Sequence, residues 1–154
     1  MSAEIQNRLT ALGITLPQLA APLANYVPFT ISGNTLYISG QLPSKDGQVM
    51  KGLLGDNTSV EQGQEAARLC AINIIAQASA ALGGDLGRVV RCLRLGGFVA
   101  STQSFFDQPK VINGASDLIV AVFADAGKHA RAAVGVSALP LGAAVEVDAI
   151  FEIK

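Results

Sequence analysis

A chain of 154 residues is short for more than one domain, and a formal net charge of −1 gives no global positive field to gather nucleic acid. Half of the residues are hydrophobic and only 15% are charged, too apolar for a disordered chain and sparsely charged for a small monomer. With 16 glycines and no tryptophan, the apolar content is mostly small aliphatics, as in a compact protein that hides part of its surface in an oligomer.

The predicted elements follow in order. Ser2 can cap a short opening helix with Ile5, Leu9 and Leu12 on one face, closed by Gly13. Strands over 29–32 and 35–39 flank Gly33-Asn34, a two-residue hairpin signal. Residues 44–57, with Gly47, Gly52 and Gly55, read as a connection. Thr58-Ser59-Val60-Glu61 reads as a capping box opening a helix to about residue 82, with Ala66, Leu69, Cys70, Ile74 and Gln77 on one face and Gly83-Gly84 as the stop. A strand over 88–99 comes next, then a helix from Asp107-Gln108-Pro109 to about residue 126, with Pro109 tolerated in its first turn.

The segment 129–153 is the richest. It holds a small-residue strand with Arg131, a Pro-Leu-Gly turn at 140–142, and a strictly alternating strand with Glu146. In that last strand Val145, Val147, Ala149, Phe151 and Ile153 share the face that should meet the helices; Glu146, Asp148, Ile150 and Glu152 share the other. The order β-β-α-β-α-β-β predicts a single α+β domain over 1–154, with two helices packed on one face of a mixed sheet and a short helix added in front.

The chemistry starts at Arg131. Its guanidinium presents a planar fork of donors that matches a carboxylate, and Ala133 and Gly135 on the same strand face leave space beside it. A structural arginine paired with an acid is the bland alternative. Two cysteines, Cys70 and Cys92, lie in apolar stretches and read as buried thiols of a reducing compartment rather than a disulfide. There is one histidine and no zinc-like spacing, so no metal is expected. His129, next to Arg131, could serve as a proton relay, although a lone histidine at a loop end reads as a surface residue. The opening residues lack a signal-peptide pattern, and the apolar run 71–82 is too short to span a bilayer, which predicts a soluble cytoplasmic protein without membrane contact.

Ala130-Arg131, Leu139-Pro140 and Val145-Glu146-Val147 together resemble the C-terminal signature of the Rid/YjgF family of reactive-intermediate deaminases, also called L-PSP endoribonucleases. Upstream, Tyr37-Ile38-Ser39-Gly40-Gln41-Leu42-Pro43 is similar to the family's Ser-Gly-Gln motif, Asn25-Tyr26-Val27 to its Tyr-Val segment, and Asn113 falls where it keeps an asparagine. The likeness begins near Pro22, so residues 1–21 resemble an extension found in longer members.

The resemblance implies the chorismate-mutase-like fold, a homotrimer with clefts between subunits, and cofactor-free hydrolysis of amino-acid-derived enamines or imines to 2-oxo acids and ammonia. It implies Arg131 and Glu146 as catalytic residues, with Tyr26, Ser39, Gly40, Asn113, Ala133 and Arg131 binding substrate. Two departures stand out: Ala133 replaces a common cysteine and Gly135 a common acid, the latter enlarging or reshaping the pocket. They leave open a non-catalytic trimer that binds small carboxylates.

A third reading, RNA binding or cleavage, draws on Arg88, Arg91 and Arg94. On a regular strand Arg91 would point away from the other two, and no aromatic is interleaved for base stacking. A simple hairpin about Leu141 would also set Arg131 and Glu146 about 17 Å apart along the strands. The strands are then not neighbours, or the pocket draws on two subunits.

Overall fold

The computed structural model describes residues 3–19 and 25–154. Helix α1 (Ala3–Ala11) is followed by β1 (Phe29–Ser32), β2 (Thr35–Gln41), β3 (Ser44–Lys45), β4 (Gln48–Val49), α2 (Val60–Ala81), β5 (Val89–Ala100), α3 (Gln108–Phe123), β6 (Ala130–Val136) and β7 (Val145–Ile153). Five strands form one sheet in the order β1-β2-β7-β5-β6, antiparallel except for the parallel pair β5–β6. The parallel pair follows from α3, which carries the chain back to the same end before β6 begins. This is the expected α+β mixed sheet with a short helix in front.

The alternation of β7 is realised in full. Val145, Val147, Ala149, Phe151 and Ile153 are buried under α2 and α3, and the four intervening side chains face away. Phe151 packs tilted against Phe123 of α3, with ring centroids 5.8 Å apart. Helix α3 buries Val111, Ile112, Ala115, Leu118, Ile119 and Val122, the three-and-four spacing of an amphipathic helix. It touches α2 so closely that a methyl group on Gly114 would strike the Gln64 backbone.

The opening helix joins this core through Ile5 and Leu9, and Arg8 Nη1 donates to the Val122 carbonyl at 3.1 Å. Leu12 is 38% exposed, because the helix ends at Ala11 and Gly13 turns the chain with a positive φ of 69°. The proposed cap Ser2 lies outside the described residues, as does Pro22. No helix among the described residues is long and apolar enough to cross a membrane.

Three local expectations are corrected. The cap of α2 is Ser59 with Gln62, one residue later than the Thr58–Glu61 box; Ser59 Oγ accepts from Gln62 N at 3.1 Å and Gln62 Oε1 from Ser59 N at 2.8 Å. Thr58 is drawn the other way, its hydroxyl accepting from Leu53 N and donating to Asn57 Oδ1. The connection over 44–57 contains the small β3–β4 hairpin.

The last two strands are not direct neighbours, one of the alternatives that the spacing of Arg131 and Glu146 leaves open. The chain turns through Leu141 (φ 60°) and Gly142 (φ 72°), and β5 lies between β6 and β7. Finally, irregularities between Val89 and Arg91 and between Cys92 and Arg94 cancel the strict alternation of β5. Arg91 and Arg94 therefore sit opposite Glu152 and Ile150, on the same open face.

Candidate active site

Arg131 lies on β6, the edge strand, level with Leu95 of β5 and Ala149 of β7. That register places it on the helix-facing side of the sheet. Its Nη1 donates to Ser116 Oγ at 3.0 Å and its Nη2 to the Pro109 carbonyl at 3.2 Å, both on α3. Asn113 stands between those two contacts on the same helical face, one turn from each. Ala133, two residues along β6, is half-buried against the core. Arg131 has no ion-pair partner among the described residues. Its two acceptors are neutral and three of its five donors remain. The positive charge is oriented but not neutralised, so the bland reading of a paired structural arginine fails.

A side chain at Gly135 would meet Ser101 Oγ at 2.6 Å and Gln108 Nε2 at 2.8 Å, and with Ser101, Phe105 and Gln108 the glycine lines a cavity of about 470 Å³. Gln108 is fixed by donating to the Phe105 carbonyl at 2.8 Å and to Ser101 Oγ at 3.3 Å.

Glu146 belongs to a second cluster. On β7 it is level with Phe98 of β5, on the open face. Strand β2 carries an irregularity between Ile38 and Gln41, which contains Ser39 and Gly40. The Glu146 carboxyl lies directly over Gly40; a methyl group there would come within 2.8 Å of Glu146 Cδ. Glycine is thus needed for close approach. Burial first, and then the neighbouring Asp148 carboxylate, raise Glu146 above the usual glutamate range.

Ser39 is a clasp and no nucleophile. Its hydroxyl donates to the Val27 carbonyl at 2.8 Å and its backbone N–H to the Pro28 carbonyl at 2.9 Å. The clasp brings Tyr26, 66% exposed, to the Gly40 end of β2, where both line a cavity of about 480 Å³. Neither Arg131 nor Glu146 lines it.

The predicted residues therefore fall into two groups, Arg131–Ala133–Asn113 and Glu146–Gly40–Ser39–Tyr26. Three residues along β5 and two strand spacings separate Arg131 from Glu146, about 10 Å in each direction. They also point from opposite faces of the sheet. No small ligand reaches both within one chain.

Ser116, His129, Gln108 and Asp148 complete the surroundings and were not singled out as site residues. Asp148 could have been inferred from its alternation with Glu146, and Ser116 from its spacing after Asn113. His129 is half-buried rather than on the surface, bonded to Ser116 at 2.9 Å. Among the described residues, no group of three or more His, Cys, Asp or Glu could hold a metal ion. Both cysteines are buried, and burial pushes the Cys92 thiol up to about 12. The basic residues at the start of β5 and just before it do not form a free stripe: Arg88 Nε donates to the Lys154 carbonyl at 2.6 Å, Arg94 lies 3.6 Å from Asp148, and Arg91 faces Glu152.

A sheet in this order with two helices on one face is the YjgF-like α+β fold, and the chain's relatives agree. Residues 6–153 match the family described as "YjgF/chorismate mutase-like, putative endoribonuclease". Protein TCP17 of Trypanosoma cruzi is 53% identical, covering 99% of this chain and 96% of its own length. A crystal structure of a protein of unknown function from Agrobacterium tumefaciens shares 55% identity, with a TM-score of 0.91 over 97% of this chain and 94% of that one. A "putative endoribonuclease" from Shewanella oneidensis shares 38% identity, with a TM-score of 0.92 over 97% and 99% of the two chains. The chain belongs to the Rid/YjgF family.

Proposed function

We propose that this protein hydrolyses amino-acid-derived imines and enamines to 2-oxo acids and ammonia, in a pocket built from two copies of the chain within a homotrimer. The observation that carries this reading is Arg131, aimed by two neutral acceptors and left with an unneutralised charge. Such a group suits a small carboxylate, with charge-assisted bonds contributing about 1.5–3 kcal/mol net. The opposite faces of Arg131 and Glu146 support a shared pocket, one copy lending Arg131, Ala133 and Asn113 and its neighbour Glu146, Gly40, Ser39 and Tyr26. In this reading the whole chain acts as one domain, with residues 1–21 an addition to it.

In that pocket Arg131 holds the substrate carboxylate while Glu146, raised by burial, carries a proton closer to neutrality than an ordinary glutamate. Protonation of an enamine at carbon by the Glu146 carboxyl gives the iminium ion. The Glu146 carboxylate then takes a proton from water as the water oxygen bonds to the iminium carbon, giving a neutral carbinolamine. Glu146 passes that proton to the nitrogen and takes the one on the hydroxyl as the C–N bond breaks, releasing ammonia and the 2-oxo acid. No covalent nucleophile is required, since orientation and proton relay suffice. Ala133 in place of a thiol fits such a route.

The test is complementation. Arg131→Ala and Glu146→Gln chains, each nearly inactive in releasing ammonia from imines generated by an amino-acid oxidase, are refolded together. Random mixing should restore about a quarter of the sites, because a head-to-tail interface pairs an intact Arg131 with an intact Glu146 in that fraction. No recovery in verified mixed trimers would place both residues in one chain's site and overturn the shared pocket. Turnover equal to buffer, with 2-oxo acid still bound, would favour the carboxylate-binding reading. The ribonuclease reading, favoured by the family's description, requires RNA retention that falls steeply with salt.

A further inference from the structure

Arg131 is itself held by a short relay whose hydrogen-bond directions follow once the His129 ring is taken as neutral. His129 Nδ1 lies 2.6 Å from the Gly127 carbonyl oxygen, which can only accept, so Nδ1 carries a proton. In the neutral ring Nε2 is then an acceptor, and Ser116 Oγ, 2.9 Å away, donates to it. With its proton so committed, the Ser116 oxygen presents its lone pairs to Arg131 Nη1 at 3.0 Å. The anchor is firm: Gly127 is buried so tightly against α3 that a side chain there would strike the backbone at Ile119 and Val120.

We infer that Ser116 and His129 are positioning residues for the carboxylate-binding Arg131, setting substrate affinity through a chain that runs from the Gly127 carbonyl through the imidazole and the hydroxyl to the guanidinium. The inference rests on the proposed role of Arg131 and assigns the groups that orient it. The relay turns a flexible side chain on an edge strand into a preorganised fork, lowering the ordering cost of binding. It also explains the otherwise solitary histidine, which touches no substrate. Because every acceptor in the relay is neutral, the hold on Arg131 leaves its charge available to an anion.

Two measurements test this. The chain has one histidine, so its side-chain nitrogen NMR signals need no assignment. They should show the Nδ1–H tautomer in the wild type and a displaced Nε2 signal in Ser116→Ala. An Nε2–H tautomer would overturn the relay. Calorimetry with pyruvate should give a Kd roughly two- to tenfold weaker for Ser116→Ala, the value of one hydrogen bond. Ser116→Thr, which keeps the hydroxyl, should restore it. Turnover should show the same split, with KM raised more than kcat.

Alanine is a strong helix former, so the Ser116 variant should fold. Equal pyruvate affinity in Ser116→Ala and wild type, while Arg131→Ala loses binding, would remove the relay alone. Equal affinity in Arg131→Ala and wild type would remove the role of Arg131 and the relay with it.

Discussion

The two halves of the site solve opposite electrostatic problems. At the rim, Arg131 sits on an edge strand where the charge stays partly hydrated, and the fold supplies only neutral acceptors to aim it. On the open face, Glu146 sits on an inner strand, pressed over Gly40 and beside Asp148, where the surroundings oppose its charge. One half keeps an ion available and the other makes a proton easier to hold. In the proposed site a cation seeking an anion and a carboxyl that holds its proton more readily than an ordinary glutamate would be complementary halves. Their separation within one chain is what the proposed two-chain pocket answers.

The largest effects should come from deleting each function in turn. Glu146→Gln should lower kcat by roughly 10²–10⁴-fold, the usual range for a lost general acid–base, while leaving pyruvate affinity within a few-fold of wild type. Arg131→Ala should cost about ten- to a hundredfold in pyruvate affinity and in kcat/KM. Arg131→Lys should recover only part, because a lysine offers a point charge without the planar fork. If Glu146→Gln weakened binding as much as Arg131→Ala did, the division of labour would be wrong.

The layers of the fold were legible because they rest on periodicity. The alternation of β7 and the three-and-four spacing of α3 each name one face, and burial follows that naming residue by residue. Irregular backbone was not legible. Two irregularities in β5 put Arg91 and Arg94 on one face against simple alternation, and another in β2 lays Gly40 under Glu146. Such irregularities depend on pairing with a distant strand, which no local window contains.

Strand order was hidden for the same reason. The insertion of β5 between β6 and β7 decides between the alternatives that the spacing of Arg131 and Glu146 leaves open, and sets the two residues two strand spacings apart. The resemblance in motifs named residues without their arrangement, which strand order alone supplies. At Gly135 the vacancy read in the sequence is partly taken by the Gln108 amide and partly open as a cavity wall.

Gly40→Ala sharpens the contrast at the carboxyl half. The added methyl group meets Glu146 Cδ at 2.8 Å, so the carboxyl must leave its position or β2 must shift. The struck group is the end of a flexible side chain, so the carboxyl can swing aside at a cost of about 1 kcal/mol or less, below that of core overpacking, which thermal melting would register as a slightly lower Tm. In the Glu146→Ala background the same substitution should cost little, since the group it strikes is gone. Additive losses in the double variant would mean that Gly40 serves the backbone of β2 rather than the carboxyl.

The smallest effect has the most informative sign. Since Glu146 is raised in the folded protein, the native state binds its proton more tightly than the unfolded chain does, and stability falls as pH rises from the ordinary glutamate range towards the folded value. Glu146→Gln should therefore melt higher than wild type at neutral pH, and the difference should vanish below about pH 4, where the unfolded glutamate is also protonated. In the assembled trimer the neighbour's Arg131 would oppose this by favouring the ionised carboxylate, so the gain from Glu146→Gln should be larger in an Arg131→Ala chain than in the wild type. Equal gains in the two backgrounds would mean that the guanidinium and the carboxyl never meet, within a chain or between chains.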